Sequence, residues 1–165
     1  MRLAVCPGSF DPVTNGHLDI WKRSSKMFDE IIVAVFHNPN KIPFFSMEER
    51  VQMLREVTRN IPNIRVDSFS GLLNEYVHLQ NTHIIIRGLR AFSDFEYEFQ
   101  RALLIKQVDP VMETVFIMTS SKYSFVSSSG IKELARFGGK ITGLVPACVE
   151  DKIIGRCREL NVVGK

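Results

Sequence analysis

The chain has 165 residues, of which 45% are hydrophobic and 24% charged, with a formal net charge of +3. This length and composition are typical of one globular domain with a sizeable core, and no apolar stretch is long enough to span a bilayer. No polybasic tail of the kind that binds nucleic acid is present, and a small anionic substrate fits the mild positive charge at least as well as RNA or DNA.

The first predicted elements are a strand, a loop rich in turn residues, and a helix. The apolar run over residues 3–6 predicts a short buried strand, which Pro7-Gly8 ends. Asp11-Pro12 and Asn15-Gly16 are turn signals within the loop. After the loop, apolar and small residues repeat at helical spacing, which places on one face Ile20, Trp21, Ser24, Met27 and Phe28.

Strands and helices alternate along the rest of the chain. Apolar segments predict further strands over residues 31–36, 64–66, 82–86 and 114–118. Ser46 followed by Glu49 forms a capping box that opens a helix. Further helices are predicted over residues 72–79, 93–106, 129–136 and 146–160, the last with Pro146 as its first residue. This alternation predicts a single α/β domain over residues 1–165, a Rossmann-like doubly wound fold with a five-stranded parallel sheet and helices on both faces.

The N-terminus of the first helix is a candidate anion site. Unpaired backbone N–H groups and the positive end of the helix dipole attract phosphate there, and His17 lies in the first turn. The same field disfavours a protonated imidazole, so His17 is expected to be neutral near pH 7 and able to donate one hydrogen bond. The alternative is a tight turn between strand and helix that carries a solvent-facing histidine.

Charged and hydroxyl-bearing residues follow several of the predicted strands. Ser9 and His17 follow the first strand, Lys41 the second, Arg87 and Arg90 the fourth, and a serine cluster the fifth. Because ligands bind beyond the carboxyl ends of parallel strands, near a switch in strand order, these residues are expected to converge at one edge of the sheet.

Two of these groups suit phosphate in particular. Arg87 and Arg90 can each hold phosphate oxygens with a bidentate guanidinium, and Gly88 permits close backbone approach. Arg87 directly follows three isoleucines, where an unpaired charge would be costly, although a pair of solvated arginines is the alternative. Ser127-Ser128-Ser129 before a helix offers a second anion site, with ordinary N-capping as the alternative.

The three cysteines are an odd number and lack the spacing of metal ligands. Cys6 is expected to be a buried thiol, and Cys148 and Cys157 to be structural cysteines of a reducing compartment. Because the N-terminus also lacks the pattern of a signal peptide, the protein is expected to be cytoplasmic and not to bind a membrane.

Several motifs resemble those of a known enzyme family. The stretch Gly8 to His17 resembles the T/HxGH signature of the nucleotidyltransferase superfamily, and Ser127 to Lys132 resembles its second signature, an ISSTxxR-like box. The pattern PG(S/T)FDPxTxGH of the bacterial phosphopantetheine adenylyltransferases is matched throughout, as are that family's segments at 86–90, 94–98 and 124–129. The resemblance covers nearly the whole chain.

The resemblance implies transfer of the adenylyl group of ATP to 4′-phosphopantetheine, giving dephospho-coenzyme A and pyrophosphate, with Mg²⁺ bound mainly through the ATP phosphates. It implies that His17 stabilises the transition state. Phosphopantetheine would be held by Ser9, Lys41, Leu73 and Arg87. ATP would be held by Ser9, Phe10, His17, Gly88, Leu89, Arg90, Glu98, Tyr123, Ser124, Phe125, Val126, Ser127, Ser128 and Ser129. For Lys41 and Glu98 this replaces the solvated positions that their sequence surroundings favour.

The chemistry of this reaction fits the residues present. The acceptor phosphate is mostly ionised near neutral pH because its second pKa is about 6, so no general base is required. The reaction needs two polyanions to be aligned and charge at the α-phosphorus to be neutralised. No carboxylate cluster suggests a dedicated Mg²⁺ site, so no protein metal ligand is predicted. Thr14 stands where the general signature has its first histidine, as is usual in this family, and Lys132 stands where the second signature ends in arginine.

Other interpretations stay open at this point. A sister transferase could adenylylate nicotinate mononucleotide or cytidylylate glycerol 3-phosphate on the same scaffold, and a non-catalytic nucleotide-binding module would bind ATP without turnover. An RNA-binding domain fits poorly because the basic residues are neither clustered nor interleaved with stacking aromatics. The resemblance also implies a homohexamer and feedback binding of coenzyme A.

Overall fold

The computed structural model describes residues 1–37 and 42–163. In these ranges the strands are β1 (Leu3–Gly8), β2 (Glu30–Phe36), β3 (Ile64–Phe69), β4 (Ile84–Leu89) and β5 (Glu113–Met118). The helices are α1 (Asn15–Ser24), α2 (Met47–Thr58), α3 (Leu73–Leu79), α4 (Phe92–Val108), α5 (Ser128–Arg136) and α6 (Ala147–Val163). A short 3₁₀ turn, Ser121–Tyr123, lies between β5 and α5.

The strands form one five-stranded sheet in the order β3-β2-β1-β4-β5, and every pair is parallel. The chain therefore builds outward from β1 in one direction, then returns past it to build β4 and β5 on the other side. The change of direction falls between β1 and β4, where a doubly wound sheet opens its ligand crevice. The predicted fold class is confirmed.

Alternate side chains of the central strands pack into two separate hydrophobic cores, one on each face of the sheet. Ile31 and Val33 face a core that α1, α2, α5 and α6 cover, with contributions from Trp21, Leu54, Ile131 and Ile153. Ile32 and Ala34 face the second core, which α3 and α4 cover with Tyr76, Val77 and Ile105. The sequence of β2 is continuously apolar because this strand is buried on both faces.

Side-chain caps fix where two helices begin. Ser46 caps α2 and forms the predicted capping box with Glu49, whose carboxylate accepts the Ser46 backbone N–H at 2.7 Å. Thr14 caps α1 in the same manner, with His17 taking the place of the acidic residue. Across the described ranges, no helix combines the length and apolar character needed to cross a membrane.

Most boundaries differ from the sequence prediction by one or more residues. Pro7-Gly8 lies inside β1 instead of ending it, because β1 pairs with β2 as far as Gly8. α1 ends at Ser24, so Met27 and Phe28 lie after this helix and not on its face.

The ends of β3, β4 and the start of α6 differ as well. β3 continues three residues beyond the predicted 64–66, because its later residues pair with β2 as far as Phe69. β4 runs to Leu89 because its last residues pair with β5, so Arg87 lies inside the strand rather than after it. Pro146 precedes α6 instead of opening it, and its carbonyl accepts the backbone N–H groups of Val149 and Glu150.

Candidate active site

The crevice between β1 and β4 results from a break in their pairing. β1 and β2 pair over six residues, whereas β1 and β4 register only through Val5 and Ile85. Pro7 has no N–H with which to extend a ladder, and its carbonyl accepts a hydrogen bond from the Arg87 guanidinium at 3.0 Å instead. A side chain therefore bridges the two strands where backbone pairing ends.

A cavity of about 830 Å³ occupies this edge of the sheet. Most of the predicted site residues line it, namely Ser9, Phe10, His17, Leu73, Arg87, Gly88, Arg90, Glu98, Val126, Ser127, Ser128 and Ser129. Although these residues are scattered over the chain, the parallel sheet brings them together, as the positions after the strands predict.

Four of the predicted residues that the structure describes are not among those that line the cavity. Leu89 is buried, and Phe125 is largely exposed. The Ser124 hydroxyl donates to the Ser121 carbonyl, and Tyr123 packs partly against the core. Lys41 lies outside the described residues.

His17 is held by the loop that precedes its helix. The backbone N–H of Thr14 donates to His17 Nδ1 at 3.0 Å. Burial lowers the pKa of His17 to about 4, and the nearby Arg90 guanidinium lowers it as well. The ring is therefore neutral at pH 7, as predicted, with burial rather than the helix dipole as the main cause. With Nδ1 accepting, the ring proton belongs on Nε2, which is left to donate to a ligand.

Apolar rings pack around His17. Phe10 meets its ring edge-on at 5.2 Å between centroids, and Trp21 stacks on it at 5.9 Å. The Trp21 indole N–H in turn donates to Cys6 Sγ at 3.3 Å, and burial raises the pKa of that thiol to about 11. The side of the cavity beneath the imidazole is therefore uncharged.

Arg87 and Glu98 form an ion pair within the cavity wall. Their side chains are 15% and 19% exposed, and Arg87 Nε lies 3.3 Å from Glu98 Oε2. Glu98 is thus not the solvated helix residue that its neighbours suggest. Its Oε2 accepts no aligned hydrogen bond from the described residues, which leaves a buried acceptor next to the cavity.

Arg90 is held by Asp94, a residue to which the sequence assigned no role. The Arg90 Nε and Nη2 atoms donate to the two oxygens of Asp94 at 2.8 and 3.1 Å, and Nη1 donates to the Val126 carbonyl at 3.2 Å. The guanidinium is consequently fixed between α4 and the segment that leads into α5. Arg90 precedes α4 and Asp94 lies in its first turn, so the two do not form a pair on one helix face and the sequence carried no helical signal for their contact.

The serine turn combines structural bonds with exposure to the cavity. Ser127 caps α5 by accepting the Gly130 N–H at 3.0 Å, and the Ser128 hydroxyl donates to the Pro12 carbonyl at 2.7 Å. Two of the three serines therefore have structural roles, so the number of serines alone did not indicate a ligand. All three nevertheless line the cavity beside Ser9 and His17.

Part of the wall of the same cavity is apolar. It consists of Leu72, Leu73, Leu104, Ile105 and Val108, from the start of α3 and the last turns of α4, and the same helices also contribute Asn74, Tyr97 and Arg101 to the lining. Only Leu73 of this group was predicted, because the others are not part of a recognisable motif. The cavity thus combines anion-binding groups with an apolar part of its wall.

Sequence comparisons identify the family to which this site belongs. A family model described as cytidylyltransferase-like matches residues 5–134. Relatives named phosphopantetheine adenylyltransferase come from Dictyoglomus thermophilum, 59% identical over 153 residues (93% of each chain), and Desulfatibacillum aliphaticivorans, 58% identical over 161 residues (98% of this chain, 92% of the relative). A third, from Caldanaerobacter subterraneus, is 53% identical over 159 residues (96% and 99%). The chain belongs to the phosphopantetheine adenylyltransferase family. It is therefore an enzyme of the nucleotidyltransferase class.

Solved structures agree on the fold. A putative nicotinate-nucleotide adenylyltransferase from Vibrio parahaemolyticus superposes with a TM-score of 0.70 at 15% identity, covering 96% of this chain and 97% of that one. A lipopolysaccharide core biosynthesis protein from Thermoplasma volcanium gives a TM-score of 0.52 at 23% identity, covering 73% and 97%. The scaffold of this phosphopantetheine adenylyltransferase family member is thus shared with proteins of very different sequence.

Proposed function

We propose that the protein transfers the adenylyl group of ATP to the phosphate of 4′-phosphopantetheine, forming dephospho-coenzyme A and pyrophosphate in coenzyme A biosynthesis. The observation that carries this proposal is one cavity in which a neutral histidine, two arginines and a serine turn meet at the break between β1 and β4. No nucleophilic side chain is needed, because the acceptor phosphate is itself the nucleophile and is largely ionised near pH 7.

Different residues of the site stabilise different charges during the reaction. The acceptor oxygen attacks the α-phosphorus directly and in line, as pyrophosphate leaves, with no covalent enzyme intermediate. His17, fixed through Nδ1, donates its Nε2 proton in a hydrogen bond to an α-phosphate oxygen, where charge develops. Arg90 and the N-terminus of α5 face the triphosphate, and Arg87 faces the acceptor phosphate. Alignment of the two anions supplies most of the remaining rate enhancement.

The apolar part of the cavity wall supports phosphopantetheine as the acceptor. Leu72, Leu104 and Val108 are exposed apolar side chains that a pantetheine arm would cover while its phosphate lies near Arg87. A compact acceptor such as glycerol 3-phosphate would leave this part of the wall in contact with water. Burial of apolar surface therefore favours the longer acceptor.

Mg²⁺ is expected to arrive with ATP, bound to phosphate oxygens and water. Within residues 1–37 and 42–163, no group of three or more His, Cys, Asp or Glu side chains is placed to hold a metal ion. When bound, the ion would neutralise charge on the phosphates, and its ligands are expected to be phosphate oxygens and water rather than side chains of the described residues.

We also propose a homohexameric, cytoplasmic enzyme that binds coenzyme A as a feedback ligand. Support for assembly comes from the exposed apolar side chains of α4 outside the cavity lining, which include Phe95, Phe99 and Leu103. An elution mass six times that of the chain supports the hexamer, and a monomer mass contradicts it. Coenzyme A shares the adenylyl and pantetheine groups of the reaction product, so competition with both substrates is the expected form of inhibition.

A pyrophosphate-release assay tests the reaction. The enzyme is incubated with MgATP and either 4′-phosphopantetheine or nicotinate mononucleotide, and separately with MgCTP and glycerol 3-phosphate. Pyrophosphate is expected only with phosphopantetheine, together with dephospho-coenzyme A in the mass spectrum. Release with another acceptor would indicate a sister transferase, and binding of ATP without release in any mixture would indicate a non-catalytic module.

A further inference from the structure

Asp11 is a buried carboxylate beside the active site for which the proposed mechanism has no role. It is 8% exposed and lies in the loop between β1 and α1, next to Phe10. Its Oδ2 accepts the backbone N–H of Phe44 at 2.8 Å, and its Oδ1 accepts that of Phe45 at 2.9 Å. A third donor, the Lys132 ammonium, lies 3.3 Å from Oδ2.

These three donors come from two other parts of the chain. Phe44 and Phe45 precede α2, whereas Lys132 lies in the second turn of α5, whose first turn carries the serines of the active site. Asp11 therefore joins the loop that carries Ser9 and Phe10 to the segment before α2 and to α5. Only a carboxylate accepts from all three donors, because an asparagine would direct its own NH₂ group at one of them.

Neighbouring contacts show that these segments pack as one unit. The Arg50 side chain, 4% exposed, donates to the Ser9 carbonyl at 2.9 Å. Phe44 packs edge-on against Phe45 with centroids 4.9 Å apart, and the Lys132 ammonium lies 6.0 Å from the Phe44 ring. A small cleft of about 110 Å³ lies along this unit and shares Ser9, Ser128 and Ser129 with the large cavity.

We propose that Asp11 is a positioning residue that, through Phe44, Phe45 and Lys132, holds the segment before α2 and the start of α5 in register with Ser9 and Phe10. The inference rests on the proposed function and concerns the alignment of the two substrates rather than contact with either. It also explains the lysine at the end of the second signature. Lys132 is committed to Asp11, so it supports the serine turn through this ion pair and not by direct contact with phosphate.

Four variants test the proposal: D11N, K132M, K132R and D151N. The last is a surface control, because Asp151 is an exposed residue of α6. For D11N and K132M, kcat is expected to fall by roughly 10- to 100-fold, the usual effect of slight misalignment of reacting groups. K132R keeps the ion pair and should stay within about threefold of wild type, as should D151N, because neither moves the reacting groups. The dissociation constant of ATP, measured without acceptor by the fluorescence of the single tryptophan, Trp21, should change by less than about threefold, because alignment rather than binding is disturbed.

This split between kcat and ATP binding separates positioning from general loss of structure, which would weaken both together. Wild-type kcat in D11N, equal impairment of K132M and K132R, or parallel loss of ATP binding would each overturn the proposal. If D11N does not fold, the proposal is tested by comparing kcat and the dissociation constant of ATP between K132M and K132R. If the wild-type enzyme itself does not release pyrophosphate with phosphopantetheine, the proposed function is refuted. This outcome depends on the wild-type assay alone and not on any variant.

Discussion

The Thr14 backbone N–H donates to His17 Nδ1 at 3.0 Å, so the main chain itself selects the tautomer of the imidazole for which we propose a catalytic role. In many enzymes a carboxylate orients the histidine and stabilises its charged form. Here the partner is a neutral donor, which favours an uncharged ring and leaves Nε2–H for the substrate. This arrangement suits a reaction in which the histidine donates a hydrogen bond and never takes up a proton.

Removal of the imidazole is expected to affect turnover more than binding. H17A should lower kcat by about 10²- to 10³-fold, the usual loss when one oriented donor to a developing oxyanion is removed, with a much smaller change in KM. H17Q can place an amide N–H near the same position and should recover part of the loss. H78A is a matched control, because His78 pairs with Asp109 outside the cavity lining. Near-wild-type turnover of H17A would remove His17 from the mechanism.

The lowered pKa of His17 makes stability depend on pH. The folded enzyme resists protonation of this ring down to about pH 4, whereas the unfolded chain takes up the proton near pH 6.5. His17 therefore contributes full stability above pH 6.5 and loses it as the pH falls toward 4, by at most about 3 kcal/mol. Urea unfolding between pH 7.5 and 4.5 should show a steeper loss for wild type than for H17Q. Equal slopes would contradict the buried, neutral ring.

The ion pair between Arg87 and Glu98 predicts which substrate a Glu98 variant affects. E98Q removes the charge that balances the buried guanidinium, so it should lower the melting temperature and raise KM for phosphopantetheine, the proposed ligand of Arg87. A direct role of Glu98 with ATP would instead raise KM for ATP. E96Q, an exposed position on the same helix, is the control and should match wild type. A larger change for ATP than for phosphopantetheine would contradict the indirect role.

Asp94 is expected to matter through Arg90. D94N replaces two charge-assisted hydrogen bonds with weaker ones and frees the guanidinium to rotate, so KM for ATP should rise by about tenfold. If Asp94 instead competes with the triphosphate for Arg90, KM for ATP would fall. Initial rates over a range of ATP concentrations, with E96Q again as control, distinguish the two directions.

Gly8 leaves room for the ring that packs on His17. A Cβ at this position would lie 2.6 Å from Phe10 Cζ, so G8A must displace a buried ring. We expect a loss of about 1–3 kcal/mol in the free energy of unfolding, as is usual for overpacking, together with reduced kcat. G155A is the matched control, because a Cβ there meets nothing within 4 Å and alanine is the better helix former. Equal stability of G8A and wild type would show that Phe10 is free to move aside.

Local sequence signals predicted the helices and strands well, because each signal depends on residues that lie close together in the chain. Ser46 and Glu49 form their capping box within one turn, and the run from Ile31 to Val35 needs both faces buried whatever its partners are. The parallel sheet then accounts for the convergence of His17 and Arg87, because the carboxyl ends of its strands share one edge.

The contacts that could not be predicted from the sequence join residues that lie far apart in the chain. The pairing of Asp11 with Lys132 spans 121 positions, and the bond from Ser128 to Pro12 spans 116. Glu98 sits among charged neighbours, and only the packing of α4 over β4 reveals that it faces Arg87. Motif resemblance named several of these residues without indicating what holds them in place.

The bridge from Arg87 to Pro7 makes one side chain common to the sheet and to the crevice. At the mouth of the crevice, β1 and β4 are joined by this side chain rather than by a backbone ladder. An anion that binds the Arg87 guanidinium would therefore contact the same group that links the two strands.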